Sequence, residues 1–280
     1  MIRPALLTLS FTAALAGQAL ADPASRVVSL GGAVTEIVFA LGEEDRLVAR
    51  DTTSDHPAAA EELPDVGYIR ALSAEGVLSV SPDLILAEEG AGPPEAVELL
   101  KSAAIPFAEV PDGFTPEAVR AKILTVGDAL GVPDKAQALA NRVSGDLDAA
   151  MAEADMDGKK VLFILSMQGG RVMASGTDTA ADGIIRLAGG VNAVSAFSGY
   201  KPMTDEAVAN AAPDVILMMD RGGDHGVADD ELFDMPAIRL TPAAQTRSVV
   251  RMDGLLMLGF GPRTAEAVRM LNDGLYAQGG

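Results

Sequence analysis

The chain has 280 residues, with 21 Lys+Arg against 40 Asp+Glu and a formal charge of −19. That balance excludes a nucleic-acid binder, which needs a basic footprint; the absence of Cys excludes disulfide scaffolds, thiolate metal sites and Cys nucleophiles. With 49% hydrophobic and 22% charged residues the chain is neither disordered nor fibrous, so a globular fold is expected.

Residues 1–21 read as a secretory signal peptide rather than a buried N-terminal helix. Met1-Ile2-Arg3 gives a positive start, Ala5 to Leu15 an apolar run too short to span a bilayer, and Ala19-Leu20-Ala21 a small-x-small cleavage site. Cleaving 21 of the 280 residues leaves 259, starting at Asp22, with no Cys to carry a lipid. The expected product is an unlipidated protein of a Gram-negative periplasm. Its length suggests two lobes.

Arg26 to Leu30 reads as a buried strand and Val34 to Leu41 as the helix after it. Leu84 to Ala87 and Phe107 to Val110 are further strands, followed by helices over Glu95 to Ala103 and Thr115 to Leu130. This alternation implies βαβ units and a parallel sheet. Pro133 to Ala154 reads as one long amphipathic helix, with Ala138, Leu139, Val143, Leu147, Ala150 and Met151 on its apolar side. Val161 to Leu165 restarts the pattern. The expected fold is α/β: two Rossmann-like lobes with parallel sheets, 22–131 and 158–280, joined by a linking helix at 132–157, with a ligand cleft between them.

An internal repeat supports the division. Ser73-Ala74-Glu75-Gly76-Val77 and Ser81-Pro82-Asp83-Leu84-Ile85-Leu86 recur, 131 residues on, as Thr204-Asp205-Glu206-Ala207-Val208 and Ala212-Pro213-Asp214-Val215-Ile216-Leu217. Gly67-Tyr68 faces Gly199-Tyr200 with a one-residue slip, and Ile37-Val38 to Gly42 echoes Ile184-Ile185 to Gly189. Each lobe is expected to build helix, tight turn and buried strand once.

Enzyme signatures are missing. There is no Gly-x-Ser-x-Gly, no phosphate loop and no His-Glu-x-x-His, and Gly259-Phe260-Gly261 runs into Pro262-Arg263 instead of completing a dinucleotide fingerprint. His56 and His225 are the only histidines, too few and too far apart for an ordinary zinc site.

Three segments carry a resemblance: Gly67-Tyr68-Ile69-Arg70-Ala71-Leu72-Ser73 through Pro82-Asp83-Leu84; Ser198-Gly199-Tyr200-Lys201-Pro202; and Met252-Asp253-Gly254-Leu255-Leu256 through Leu258-Gly259-Phe260-Gly261-Pro262-Arg263-Thr264. With them, essentially the whole mature chain resembles the periplasmic haem-binding proteins of bacterial haem-uptake ABC transporters. The resemblance implies two lobes joined by a long helix, ferric haem in the cleft, delivery to a membrane permease dimer, a monomer and no catalysis. It implies Tyr68 as the iron ligand and Arg70 as the cation favouring its phenolate or a haem propionate. A phenolate suits Fe(III), but a free phenol ionises only near pH ~10, so the metal and a cation must favour the anion. In an extended segment, residues 68 and 70 share a face. Without haem, Tyr68 reads as a cleft-wall aromatic. Lys201 and Arg221 are either propionate cations or surface charges, and Tyr200 is placed to face the ring from the other lobe. His225 is a weak candidate for a second axial ligand; otherwise the sixth position is open. Glu75 and Glu206 either complement their helix dipoles or dock onto permease arginines. The alternatives are a siderophore or corrinoid binding protein, a haem chaperone without a permease, and a secreted α/β enzyme.

Overall fold

The computed structural model describes residues 23–168, 171–220 and 227–276. The signal-peptide reading and the candidates Arg221 and His225 lie outside the described residues. In chain order the elements are β1 (Val27–Leu30), α1 (Gly32–Ala40), β2 (Leu47–Arg50), α2 (Ala74–Ser79), β3 (Leu84–Glu88), α3 (Pro94–Ser102), β4 (Phe107–Val110), α4 (Pro116–Ala129) and α5 (Pro133–Glu153). Then come β5 (Lys160–Gln168), β6 (Arg171–Ser175), α6 (Ala180–Leu187), β7 (Val191–Asn192), β8 (Tyr200–Met203), α7 (Asp205–Ala211), β9 (Val215–Asp220), α8 (Asp229–Asp234), α9 (Pro242–Thr246), β10 (Val249–Asp253), α10 (Gly254–Leu258) and α11 (Thr264–Tyr276).

The N-terminal sheet has the order β2-β1-β3-β4 and every pairing in it is parallel. The C-terminal sheet, order β10-β9-β5-β6-β8 with β7 beside β5, is mixed, because β6 runs antiparallel to both β5 and β8. The purely parallel expectation therefore holds for one lobe and needs correcting in the other. Gly169-Gly170 stands between β5 and β6 in the sequence, a dipeptide suited to a hairpin return. Pro202 sits in β8, the edge strand, where a missing N–H is tolerated.

The 131-residue repeat has a structural counterpart. Ser73 and Thr204 cap α2 and α7 by accepting from the amides of Gly76 and Ala207. Val77 and Val208 are fully buried beneath these helices. Ser81 and Ala212 both take left-handed backbone, with φ of 49° and 46°. Asp83 accepts from the amides of Ser25 and Arg26, tying β3 to the start of β1; Asp214 accepts from the Lys160 amide and ties β9 to the start of β5. The same aspartate therefore staples two neighbouring strands in each lobe. Burial opposes ionisation of Asp83, yet the two amides outweigh it and hold the carboxyl below the usual aspartate range. A lowered folded-state pKa contributes stability above the unfolded value and loses it as pH falls through the folded value. Asp83→Asn is therefore expected to cost about 1 kcal/mol at neutral pH, a figure kept small by solvent exposure. In thermal melts the difference from wild type should vanish on acidification.

The lobes share one core cluster, and each holds a further cluster of its own. A single cluster of buried residues runs from Val27, Val34 and Ile37 through Leu139, Val143 and Leu147 of α5 to Phe163, Ile184, Leu256 and Phe260. The α5 stripe agrees with expectation except at Ala138, which is exposed while Ala136 and Ala140 are buried. Phe114 and Phe260 meet edge-on across the lobes, with centroids 5.4 Å apart. Gly32 lets α1 approach α10: a Cβ there would lie 2.5 Å from Leu255 Cδ1 and 2.6 Å from Thr53 O. Such a shared interior favours a fixed arrangement of the lobes over two lobes swinging freely.

Candidate functional site

The segment 67–72 lies over the C-terminal ends of the N-terminal strands, the end where open α/β sheets hold ligands. The Thr52 amide, just past β2, donates to Gly67 O at 3.0 Å; the Gly92 amide, past β3, donates to Ile69 O and the Leu72 amide to Gly92 O. Gly67 has φ +106°, a left-handed conformation that a side chain would strain, and open space surrounds it. Ile69 and Leu72 are buried in the N-terminal lobe, whereas Tyr68 is 48% exposed and Arg70 is exposed. The chain is not extended here: the Ala71 amide donates to Tyr68 O, closing a turn over Ile69-Arg70. Tyr68 and Arg70 project outward because the apolar residues at 69 and 72 are anchored inward, and not because an extended strand alternates.

Arg70 Nη1 donates to Gly90 O at 2.9 Å, a neutral acceptor. Among the described residues the guanidinium has no carboxylate at ion-pair distance.

Tyr200 opens β8 opposite Ser175 and lies edge-on to the buried Phe163 ring, with centroids 6.3 Å apart. Burial pushes its phenol above the usual tyrosine range, against the pull of the Thr179 hydroxyl, the Ala181 amide at the start of α6 and the Arg70 charge. The Arg70 charge, from the N-terminal lobe, therefore acts on Tyr200 in the C-terminal lobe. Gly199 has φ +77° in open space, as Gly67 does. The two tyrosines share a local design and both remain exposed, Tyr200 at 37%, but Tyr200 in addition rests against the Phe163 ring.

Lys201 follows on the opposite face of β8, with Nζ 5.4 Å from the Phe197 ring centroid. Strand alternation thus separates it from Tyr200. Glu75 and Glu206 are exposed in the first turns of α2 and α7. His56 is exposed, and among the described residues no group of three or more His, Asp or Glu is arranged to hold a metal ion. No described helix is long and apolar enough to cross a membrane.

Two buried ion pairs at the lobe boundary went unread in the sequence. Glu36 in α1 accepts from both Nε and Nη2 of Arg263, which precedes α11. Lys122 in α4 is fully buried and donates to Glu88 Oε1, to Asp112 Oδ1 at 3.3 Å and, across the lobes, to Gly259 O at 3.1 Å. Both left a signal. Lys122 occupies an apolar-stripe position of α4 with Val119, Ile123 and Val126, and Glu36 interrupts the buried run of α1.

Residues 27–255 match the family described as periplasmic binding protein. The chain belongs to that family. This binding protein superimposes on the periplasmic haem-binding protein BhuT in complex with two haems at a TM-score of 0.85, with 43% identity, covering 90% of this chain and 98% of that one. For the haem-binding protein RhuT of Roseiflexus sp. RS-1, in apo form, the TM-score is 0.86 and the identity 37%, over 91% and 98% of the two chains. The vitamin B12-binding protein of Vibrio parahaemolyticus is more distant, 26% identical over 78% of this chain and 79% of its own. An uncharacterized substrate-binding lipoprotein of Bacillus subtilis, YvrC, is 29% identical over 90% and 80%. Membership places the chain among periplasmic proteins that bind substrates and are not enzymes, as the missing catalytic signatures lead one to expect.

Proposed function

We propose that this protein captures ferric haem in the cleft and delivers it to the permease dimer of an ABC importer, working as an unlipidated periplasmic monomer. The observation that carries the reading is the exposed Tyr68, turned out of a loop anchored at the strand ends. Identity of 37–43% to BhuT and RhuT supports haem over a corrinoid, since the vitamin B12-binding relative reaches only 26%. In this reading residues 22–131 and 158–280 form the lobes, and 132–157 the helix between them.

Tyr68 supplies the axial oxygen to Fe(III), and the Arg70 charge favours its phenolate or pairs with a haem propionate. Tyr200 closes the facing wall as a neutral phenol, consistent with its burial. Arg221 is the further cation offered to a propionate, whereas Lys201, on the face of β8 opposite Tyr200, is a surface charge over the Phe197 ring. A −19 chain repels a dicarboxylate, so cations at the cleft must reverse the field locally.

Glu75 and Glu206 match one another through the repeat, and two equivalent acids on two lobes fit the arginines of a two-fold permease. Charge reversal at both, Glu75→Lys/Glu206→Lys, should abolish uptake in cells while leaving haem affinity of the purified protein unchanged. Intact uptake removes the docking role.

The reading is tested by competition. Protein loaded with ferric haemin and challenged with excess cyanocobalamin or a ferric siderophore should keep its haem. Displacement by either competitor transfers the assignment to that ligand.

A further inference from the structure

Four charges gather at the C-terminal ends of β3 and β4. Glu88 ends β3, Asp112 follows β4, Lys122 rises from α4, and Arg70 leans over the same strand ends to Gly90. Two are anions and two are cations, yet they are paired unevenly. Lys122 spends all three ammonium donors, on Glu88, Asp112 and Gly259 O, and its side chain is completely buried. Arg70 is within electrostatic reach of Glu88 and still holds only a backbone carbonyl.

We propose that Lys122 is a positioning residue that occupies Glu88 and Asp112 so that the Arg70 guanidinium stays free for the carboxylates of the ligand. The inference rests on the haem reading, in which Arg70 faces a propionate. Its physical basis is competition for one cation. A largely enclosed carboxylate such as Glu88 is costly to leave ionised without a cation. With Lys122 gone, the cation among the described residues that still acts on Glu88 is Arg70, exposed on a long side chain whose present partner is a single neutral oxygen. Arg70 then turns inward to Glu88 and Asp112, and a ligand carboxylate must displace an internal one to reach it. Glu89, the other acid at this strand end, accepts from the Asp112 amide at 3.4 Å and is exposed, so water already satisfies it.

The consequence is specific to ligand charge, which separates it from a loss of packing. Lys122→Met should bind ferric haemin about tenfold more weakly than wild type while binding the iron porphyrin dimethyl ester, which lacks free carboxylates, unchanged. The triple variant Lys122→Met/Glu88→Gln/Asp112→Asn leaves no buried acid to capture Arg70 and should recover the wild-type preference for the free acid. If Lys122→Met does not fold, Lys122→Gln/Asp112→Asn carries the same test, with Glu88 alone left to compete. Affinities of both porphyrins come from equilibrium absorption titrations, and circular dichroism melts confirm folding. A wild type that binds acid and ester equally overturns the carboxylate role of Arg70, and the proposal with it. A wild type that discriminates beside a Lys122→Met that discriminates just as well overturns the proposal alone. Failure of the triple variant to recover the preference does so too.

Discussion

Lys122→Met should lower the stability of the folded chain by about 3–5 kcal/mol, the usual cost of removing one partner from a buried ion pair. Methionine fills the space of the lysine stem, so lost packing is minor. The cost comes from exchanging a buried ammonium for the exposed Arg70 as the cation of Glu88 and Asp112, and from leaving Gly259 O without its donor. Burial already pushes the Glu88 carboxyl above the usual glutamate range, with the Lys122 ammonium pulling the other way and Asp112 adding to the push. Removing the ammonium pushes it higher still. A group whose folded pKa is raised favours folding below its unfolded pKa, and that contribution is lost as pH rises through the folded pKa. The deficit of the variant should therefore be largest at neutral pH and shrink on acidification, as Glu88 takes up its proton. Urea unfolding at several pH values measures this. A loss below about 1 kcal/mol, or one independent of pH, means that Arg70 or water replaces the buried ammonium without cost.

Tyr68→Phe should remove the phenolate absorption of the ferric haem complex and weaken binding on the order of 100-fold, about 2.8 kcal/mol at 1.4 kcal/mol per tenfold. Because Tyr68 is 48% exposed on a loop held by backbone hydrogen bonds and by Ile69 and Leu72, the variant should fold and melt like wild type. A lost spectrum is then a lost ligand and not a lost structure. Tyr200→Phe serves as the contrast. Its phenol is disfavoured as an anion by burial, so this substitution should leave the phenolate band in place.

Much of this architecture was legible because the sequence repeats it. Ser73 and Thr204, the Pro-Asp pairs and the apolar strands behind them show where each lobe turns from helix to strand, and the structure uses Asp83 and Asp214 alike. The helix before Gly131 and the long helix after it were legible from apolar spacing and terminal prolines. The antiparallel strands β6 and β8 were not. They are short and lie toward the edge of their sheet, and β8 contains Pro202, so neither shows the continuous apolar run of a parallel core strand. The turn that aims Tyr68 was also hidden, since it depends on where Thr52, Gly90 and Gly92 fall in space. The buried pairs Lys122–Glu88 and Arg263–Glu36 join residues 34 and 227 positions apart. One-dimensional spacing marks such a residue as misplaced on an apolar face but does not name its partner.

The measurement that bears most directly on the central claim is an absorption titration of residues 22–280 with ferric haemin. Saturable binding with a high-spin, phenolate-type spectrum that disappears in Tyr68→Phe is the predicted result. No saturable change would contradict haem as the ligand, and the same spectrum in both proteins would contradict Tyr68 as the residue that holds the iron.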